Sequence, residues 1–456
     1  MQTYFFRGTF FNSLTTKNKV WHIITGDLIK LDINSKVSTD IDAPIDSDYK
    51  AYKYRWVVLI FFMLVGAVSQ LVWVTYGTII DESAGFFAVD ELLIVLLALV
   101  FLVVYIPVNF LACWFIDKYG LKWGTGIGVI IIGVFGFLRV FALRGPNYWL
   151  LFVFQVMCAI GQPFILNSFT KLASAWFPQS EKTMASGLGT MSMFIGVLIA
   201  FLVPPLVVQN QGVDYAITWI TWGFGIVALV SMVLYLIFVR NKPPTPPNAY
   251  ADKTKALAVE GTKSMFKKKD FNLLFVIILI GAGAFNAISA VLDVIFDYPI
   301  GEPQPGIIGA LIIGGGTVGA LLFSTLSDHF QKRKPFLIMA LVAGAILLPL
   351  LYFIQSDPAR FAISFFLGFF LVSALPVGLT YAAEITHPLP EETSNGIMMW
   401  IGQISGIVLL ACIMVTDLVN TSGSLMFINI IVIAVLFVTG IVLSIFMKDL
   451  DAYAKT

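Results

Sequence analysis

Charged residues are scarce in this sequence. Lysine, arginine, aspartate and glutamate make up 12% of its 456 residues, whereas a soluble domain carries about 25%. Hydrophobic residues make up 58% of the chain, and the mean hydropathy is +0.89. A chain this apolar cannot bury all of its hydrophobic surface in a water-soluble globule, so we expect much of it to face lipid.

Histidine and cysteine are scarce as well, with three of each. The cysteines all lie in apolar runs, which predicts packing residues and no disulfide framework: Cys113, Cys158 and Cys412. The histidines lack ligand spacing, which predicts no metal site: His22, His329 and His387. We find no nucleophile–base set or phosphate-binding loop, so the sequence predicts neither an enzyme nor a cofactor. A net charge of +1 argues against nucleic-acid binding.

Long apolar runs make up most of the chain. A membrane-spanning helix needs about 20 apolar residues. Runs of about that length predict an all-α membrane protein with 12 spans, at 56–81, 92–116, 123–143, 147–177, 183–208, 215–239, 271–296, 305–326, 336–355, 359–385, 396–418 and 425–447.

Hydrophilic segments divide these spans into two sets of six. We expect a cytoplasmic tail at 1–55, a first half at 56–239, a basic linker at 240–270, a second half at 271–447 and a short tail at 448–456. The first tail lacks the apolar core and cleavage site of a signal peptide. Its segment 20–33 is predicted to be either an amphipathic surface helix or part of a disordered tail.

Lysine and arginine are concentrated in the linker and in the loops after the second and eighth spans, with Arg144 and Arg360 as exceptions on the opposite side. Basic loops stay in the cytoplasm. We therefore expect both termini and the linker to be cytoplasmic, in a multi-pass protein of the plasma membrane. We expect a monomer in the lipid bilayer.

Each half carries an acidic residue followed by basic ones at the end of its second span. Asp117, Lys118 and Gly120 lie in the first copy, and Asp328 begins the second. This pattern and the six-plus-six plan resemble the major facilitator superfamily. An aspartate there can pair with a neighbouring helix end and latch one state of a rocking cycle, and we include Glu384 in this group. The alternative is ordinary positive flanking of the spans.

Polar residues recur at helical spacing inside four spans. They are Gln70, Trp73, Tyr76 and Gly77; Gln155, Cys158 and Gln162; Asn286, Ser289, Asp293 and Asp297; and Gly396, Trp400 and Gln403. Polar groups at membrane depth are costly and mark functional sites.

Each of these stripes has a simpler explanation. Trp73 is alternatively an interfacial belt residue. Gln162 and Gln403 alternatively bridge helices by hydrogen bonds. Asp293 alternatively lies at a solvated outer helix end. Two basic residues, Arg139 and Lys171, are expected near helix ends, where long side chains reach the membrane surface.

Several short segments, in this order, resemble the feline leukaemia virus subgroup C receptor family, solute carrier family 49. They are 73–76, 114–117, 161–166, 173–177, 203–205, 283–285, 384–388 and 402–403. The resemblance implies transport of choline and ethanolamine, with haem export also ascribed to the family. It implies a site that contains an aromatic residue, Trp73, and two glutamines, Gln162 and Gln403. The chain departs from the family where Asn286 replaces a tyrosine and where Asp293 adds a carboxylate.

Three functions follow as hypotheses. The first is a carrier of a small organic cation, with Trp73, Tyr76, Gln162, Asn286, Asp293 and Gln403 as substrate-binding residues and a coupling proton as a further partner. A tryptophan ring suits a quaternary ammonium, and Asp293 would act as counter-charge or proton carrier. The second is an exporter of haem or another amphipathic anion. The third is a membrane receptor that transports nothing.

Overall fold

The computed structural model describes residues 51–245, 264–292, 295, 298, 302–330, 332–386, 391–419 and 426–448. The predicted tail at 1–50, most of the linker, and residues Asp293 and Asp297 lie outside these ranges. The helices are Arg55–Trp73, Ile80–Phe87, Glu91–Leu138, Tyr148–Leu166, Phe169–Trp176, Gln179–Gln211, Val213–Phe238, Lys269–Ala290, Gln304–Phe330, Lys334–Phe353, Asp357–Leu371, Ala374–Thr386, Glu391–Val419 and Met426–Ile445, with a 3-10 turn at Arg139–Leu143.

Twelve spans in the described residues are long and apolar enough to cross a membrane. In chain order, spans 1 to 12 are Tyr54–Trp73, Glu91–Ile116, Lys118–Leu143, Tyr148–Leu166, Met184–Gln211, Val213–Phe238, Lys269–Ala290, Gln304–Phe330, Lys334–Phe353, Asp357–Thr386, Ser394–Thr416 and Met426–Ile445. The predicted all-α fold of 12 spans is therefore confirmed. We call the side where spans 1 and 7 begin and spans 6 and 12 end the linker face.

The lipid-exposed surface accounts for the apolar composition. Large hydrophobic side chains are more than half exposed on several spans, including Ile60, Trp149, Ile237, Ile346 and Ile445. In a bilayer such side chains contact hydrocarbon and need no protein partner, while helical hydrogen bonds satisfy the backbone. Two of the three cysteines, Cys113 and Cys412, are exposed in the same way, whereas Cys158 is buried.

Spans 1, 4, 7 and 10 are interrupted, and these are equivalent positions in the two halves. Span 1 leaves the helix after Trp73 and resumes helix at Ile80–Phe87. Span 4 gives way at Asn167 and Ser168 to the helix Phe169–Trp176. Corresponding interrupted helices in the two halves of a transporter are the strongest structural indication of its binding site.

The second half repeats this arrangement. Val291 ends span 7 with φ −140° and ψ 38°, outside helical values, and span 10 consists of the helices Asp357–Leu371 and Ala374–Thr386. The predicted spans at 56–81 and 147–177 extend past the ends of the helices Arg55–Trp73 and Tyr148–Leu166, whereas the predicted span at 359–385 lies within the span Asp357–Thr386. Mean hydropathy over about 20 residues averages across short interruptions, such as those at 74–79 and 167–168, and so does not register the change of backbone conformation.

Glycines allow the two halves to approach closely. A Cβ on Gly77, in the interruption of span 1, would lie 3.4 Å from the backbone oxygen of Ala290 at the end of span 7. A side chain on Gly306 of span 8 would collide with the backbone of Phe201 of span 5. The interruptions of spans 1 and 7 thus face each other between the halves.

Candidate functional site

Trp73 is the last helical residue before the interruption of span 1. Its indole Nε1 donates a hydrogen bond to the backbone oxygen of Ala98 in span 2 at 3.2 Å. The residue is 7% exposed. This bond fixes the plane of the ring.

Tyr76 lies within the interruption itself. Its hydroxyl group is 3.2 Å from Thr221 Oγ1 of span 6, and either oxygen can donate. Tyr76 is 3% exposed. Its hydroxyl group therefore contacts span 6 of its own half.

A buried polar cluster supports the interrupted end of span 1. Gln155 Nε2 of span 4 donates to the backbone oxygen of Val72 at 3.1 Å, and Thr75 Oγ1 donates to the same oxygen at 3.2 Å. Arg139 Nη1 donates to Gln155 Oε1 at 3.3 Å and to Thr75 Oγ1 at 3.4 Å. The cluster thus connects spans 1, 3 and 4 beside Trp73.

The expectation that Arg139 reaches the membrane surface was wrong. Arg139 is 0% exposed. Its Nη2 is buried without a hydrogen-bond partner, and no carboxylate of a described residue lies within ion-pair distance. The side chain is held inside because its acceptors, the backbone oxygen of Gly136 and the groups of Thr75 and Gln155, converge there. The ammonium group of Lys171, which was also expected to reach the membrane surface, contacts the protein instead: its Nζ donates to the backbone oxygen of Ile116 at 2.8 Å.

The side-chain amides of Gln70, Gln162 and Gln403 have no hydrogen-bond partner among the described residues. Gln70 and Gln162 are buried, at 4% and 5% exposure. Gln162 lies seven residues after Gln155, on the same face of span 4. Because Gln155 contacts Val72 and the two spans run in opposite directions, Gln162 lies about 10 Å further from the interruption, toward the linker face.

Asn286 and Gln403 come together in the second half. Asn286 Nδ2 donates to the backbone oxygen of Gly402 in span 11 at 3.2 Å. A Cβ on Gly406 would lie 2.9 Å from Asn286 Cβ and 3.4 Å from Leu102 Cδ1 of span 2. Gln403 therefore lies on span 11 between two residues that contact Asn286, at the boundary with the first half.

The predicted substrate residues thus form two groups. Trp73 and Tyr76 lie at the interruption of span 1 and Gln162 lies on span 4, while Asn286 and Gln403 lie on spans 7 and 11. The two interruptions meet where Gly77 approaches Ser289 and Ala290. Asp293 follows the interruption of span 7 but lies outside the described residues.

Three of the proposed latch residues contact charged or aromatic side chains: Asp328, Glu384 and Lys118. In the second half, Arg333 Nη1 is 2.6 Å from Asp328 Oδ1, and Arg333 Nη2 is 2.8 Å from Glu384 Oε1 of span 10. Burial disfavours the charge on Arg333, but hydrogen bonds and attraction from Glu384 and Asp328 outweigh it and raise the pKa of the guanidinium. In the first half, Lys118 Nζ lies 4.5 Å from the ring centroid of Trp114.

Gly120 has a backbone requirement of its own. Its φ of +78° is rarely adopted by other residues, and a Cβ there would collide with the amide of Asn241. Asn241 Oδ1 accepts from the backbone N–H of Lys122 at 3.1 Å, so the end of span 6 holds this loop. The side chain of Asp117 lies outside the described part of the chain.

Sequence reasoning missed two charged groups. Arg333 was included among the basic residues that follow Asp328, but its contact with Glu384 of span 10 was not predicted; its side chain is 5% exposed and contacts two carboxylates. Arg55 and Glu181 form a pair of hydrogen bonds, both 3.0 Å, between the start of span 1 and the helix of span 5. The available signal was that each basic residue has an acidic residue at the same end of a neighbouring span.

Residues 58–409, which are more than half of the chain, match the sequence family described as the Major Facilitator Superfamily. The chain therefore belongs to this superfamily of membrane transporters. It also belongs to the feline leukaemia virus subgroup C receptor family, solute carrier family 49: solute carrier family 49 member A3 of Xenopus tropicalis is 31% identical over 377 residues, covering 79% of this chain and 77% of the relative. The predicted family membership is thus confirmed.

Other relatives are similar over the same region. The choline/ethanolamine transporter flvcr2b of Danio rerio is 28% identical, and the alignment covers 80% of this chain and 78% of flvcr2b. An uncharacterized MFS-type transporter of Caenorhabditis elegans is 29% identical, and the chain covers 64% of its length. A bacterial homologue of the human lysosomal transporter Spinster, crystallised inward-facing and unoccupied, has a TM-score of 0.66 at 15% identity over 87% of this chain and 97% of that one. At that identity the likeness concerns the fold alone.

Proposed function

We propose that this chain carries a small organic cation of the choline or ethanolamine type across the membrane by alternating access. The observation that carries the proposal is the pair of interior amides without partners, Gln162 and Gln403. An unpaired amide in a membrane interior costs free energy that a bound polar solute recovers. The relatives support the substrate class, because flvcr2b of Danio rerio is named a choline/ethanolamine transporter.

Trp73 supplies the cation-binding surface in this proposal. Its indole N–H is used by the Ala98 oxygen, so the ring face is what remains for an ammonium group. Gln162 and Gln403 then hold the hydroxyl end of the substrate from opposite halves. Tyr76 contributes by fixing the interruption of span 1 through Thr221, and Asn286 presents its amide oxygen. Asp293 is proposed as a counter-charge, with proton transfer as its alternative role.

The same proposal includes the orientation of the protein in the membrane and its transport cycle. The halves, 56–239 and 271–447, rock about the site, with the linker face in the cytoplasm of a plasma-membrane monomer. Asp117, Lys118, Gly120, Asp328 and Glu384 latch one state at that face. The basic residues on the opposite face are compatible with this orientation, because Arg360 donates to the Ile354 oxygen and Gln355 Oε1 and lies 5.1 Å from the Tyr298 ring centroid.

The two other hypotheses have less support. A haem exporter would present basic groups to the space between the halves, whereas Arg139 is fully buried within the first half. A receptor without transport would have no use for interrupted spans and unpaired interior amides. Neither is favoured by relatives named as transporters.

A competition experiment tests the proposal. Purified full-length protein in nanodiscs is titrated with radiolabelled choline, and ethanolamine, pyridoxine and haem compete for it. We expect choline and ethanolamine to displace one another, and we expect Gln162→Leu and Gln403→Leu each to weaken choline roughly fivefold, the equivalent of about one lost hydrogen bond. Tight haem binding with no choline binding would instead establish the anion hypothesis.

A further inference from the structure

A second tryptophan lies between the halves, nearer the linker face than Gln403. Trp400 is nine residues from Glu391, where the helix of span 11 begins, which places it about 13 Å inside that end. Phe110 of span 2 is ten residues from Gly120, where the helix of span 2 ends at a kink. The two rings form an edge contact with centroids 6.2 Å apart. They join the first half to the second on the linker side of the candidate site.

The indole N–H of Trp400 is buried and has no hydrogen-bond partner in the described part of the chain. An unsatisfied donor in a membrane interior is destabilising, so such a group is retained where a ligand accepts from it or where another state of the protein satisfies it. Trp73 differs, because the Ala98 oxygen already accepts from its indole N–H. Trp400 therefore offers both a ring face and a free donor.

The helix face that carries Trp400 also has open space beside it. Gly396, Trp400 and Gln403 recur at i, i+4 and i+7, so they share one face of span 11. A Cβ on Gly396 would meet no described atom within 4 Å. A solute leaving Gln403 toward the linker face along this side of span 11 would thus meet Trp400 first and the space at Gly396 next.

We propose that Trp400 and Phe110 form a second substrate subsite, on the linker-face side of the central site, that recognises amino alcohols. The inference rests on the proposed function and deepens it. The ring of Trp400 contacts the ammonium group, and its indole N–H donates to the hydroxyl oxygen two carbons away. The subsite therefore distinguishes an amino alcohol from an alkylammonium ion that lacks the hydroxyl group.

The test compares choline with ethyltrimethylammonium, which keeps the cation and lacks the hydroxyl group. Equilibrium affinities of both are measured on purified full-length protein. Trp400→Phe keeps an aromatic ring and removes the donor, so we expect choline to weaken about three- to tenfold while ethyltrimethylammonium changes less than twofold. Trp149→Phe, at a lipid-facing tryptophan that is 64% exposed, is the matched control and should alter neither affinity.

A second variant tests the position on the path without touching the donor. Gly396→Leu fills the open space, so we expect choline uptake to slow at least threefold while equilibrium binding stays within twofold. Equal weakening of both ligands by Trp400→Phe, or no change in their ratio, overturns the subsite, as does unaltered uptake by Gly396→Leu. If wild-type protein binds neither ligand, the amine proposal itself fails, and the two failures are thereby distinguished.

Discussion

The side-chain amide of Gln155 donates to the backbone oxygen of Val72 at 3.1 Å and so completes the hydrogen bonding of span 1 at its interruption. A carbonyl at a helix end that is buried in a membrane has no water to accept from, so a side chain must supply the donor. The same glutamine accepts from Arg139. One residue therefore stabilises both an interrupted helix and a buried charge.

Removing this amide should destabilise the protein. Gln155→Leu removes one of two donors to the Val72 oxygen and one of two acceptors of Arg139 Nη1, at a cost of about 0.5–1.5 kcal/mol for each lost hydrogen bond. We expect a lower melting temperature in detergent, measured by intrinsic fluorescence. Trp149→Phe, on the lipid-facing side of the same span, is the control. An unchanged melting temperature would mean that water replaces the amide.

The double variant Arg139→Met, Gln155→Leu should be less destabilised than the sum of its single variants. Arg139→Met keeps most of the volume and removes the charge, and the double variant removes both members of the Arg139–Gln155 hydrogen bond. We expect a coupling free energy of about 1–2 kcal/mol in a double-mutant cycle. Additive single effects would show that the 3.3 Å contact between the two side chains contributes no net stability.

Glycine at position 120 should be required for the loop between spans 2 and 3. Gly120→Ala places a Cβ at φ +78° and against Asn241, so we expect at least about 1 kcal/mol of destabilisation from the backbone alone. Asn241→Gly in the same chain removes the collision but not the strained φ, and should restore stability only in part. Full recovery would place the whole cost in the collision.

Substitutions in the ion cluster of the second half, Arg333 with Asp328 and Glu384, should lower the melting temperature by unequal amounts. Arg333 is 5% exposed and contacts both Asp328 and Glu384, which are 65% and 31% exposed. Arg333→Gln should therefore lower the melting temperature more than Glu384→Gln, because it leaves both carboxylates without their main partner. If the two variants slow uptake without weakening choline binding, the cluster acts in the rocking step. Normal uptake by both would reduce it to a structural role.

Hydropathy and charge placement predicted the number of spans, their order and the two-half plan, because these depend on side-chain composition over about 20 residues. The interruptions after Trp73 and Ala290 were not predictable in this way, since a mean over about 20 residues averages across a break of a few residues. Arg139 was misplaced because its partners come from spans 1 and 4, which only the fold brings together. Gln162 and Gln403 were singled out correctly as interior polar residues, because amides are rare inside apolar runs, but their binding role stays a prediction.

Uptake of choline into liposomes tests the central claim most directly. Wild-type protein should accumulate radiolabelled choline above empty liposomes. Trp73→Phe should lose less affinity than Trp73→Ala, which we expect to weaken choline by about 1–2 kcal/mol, or roughly five- to thirtyfold. Graded loss in that order, with normal folding, supports an amine carrier with a cation on the Trp73 ring. Absence of choline and ethanolamine uptake by well-folded wild-type protein would contradict it.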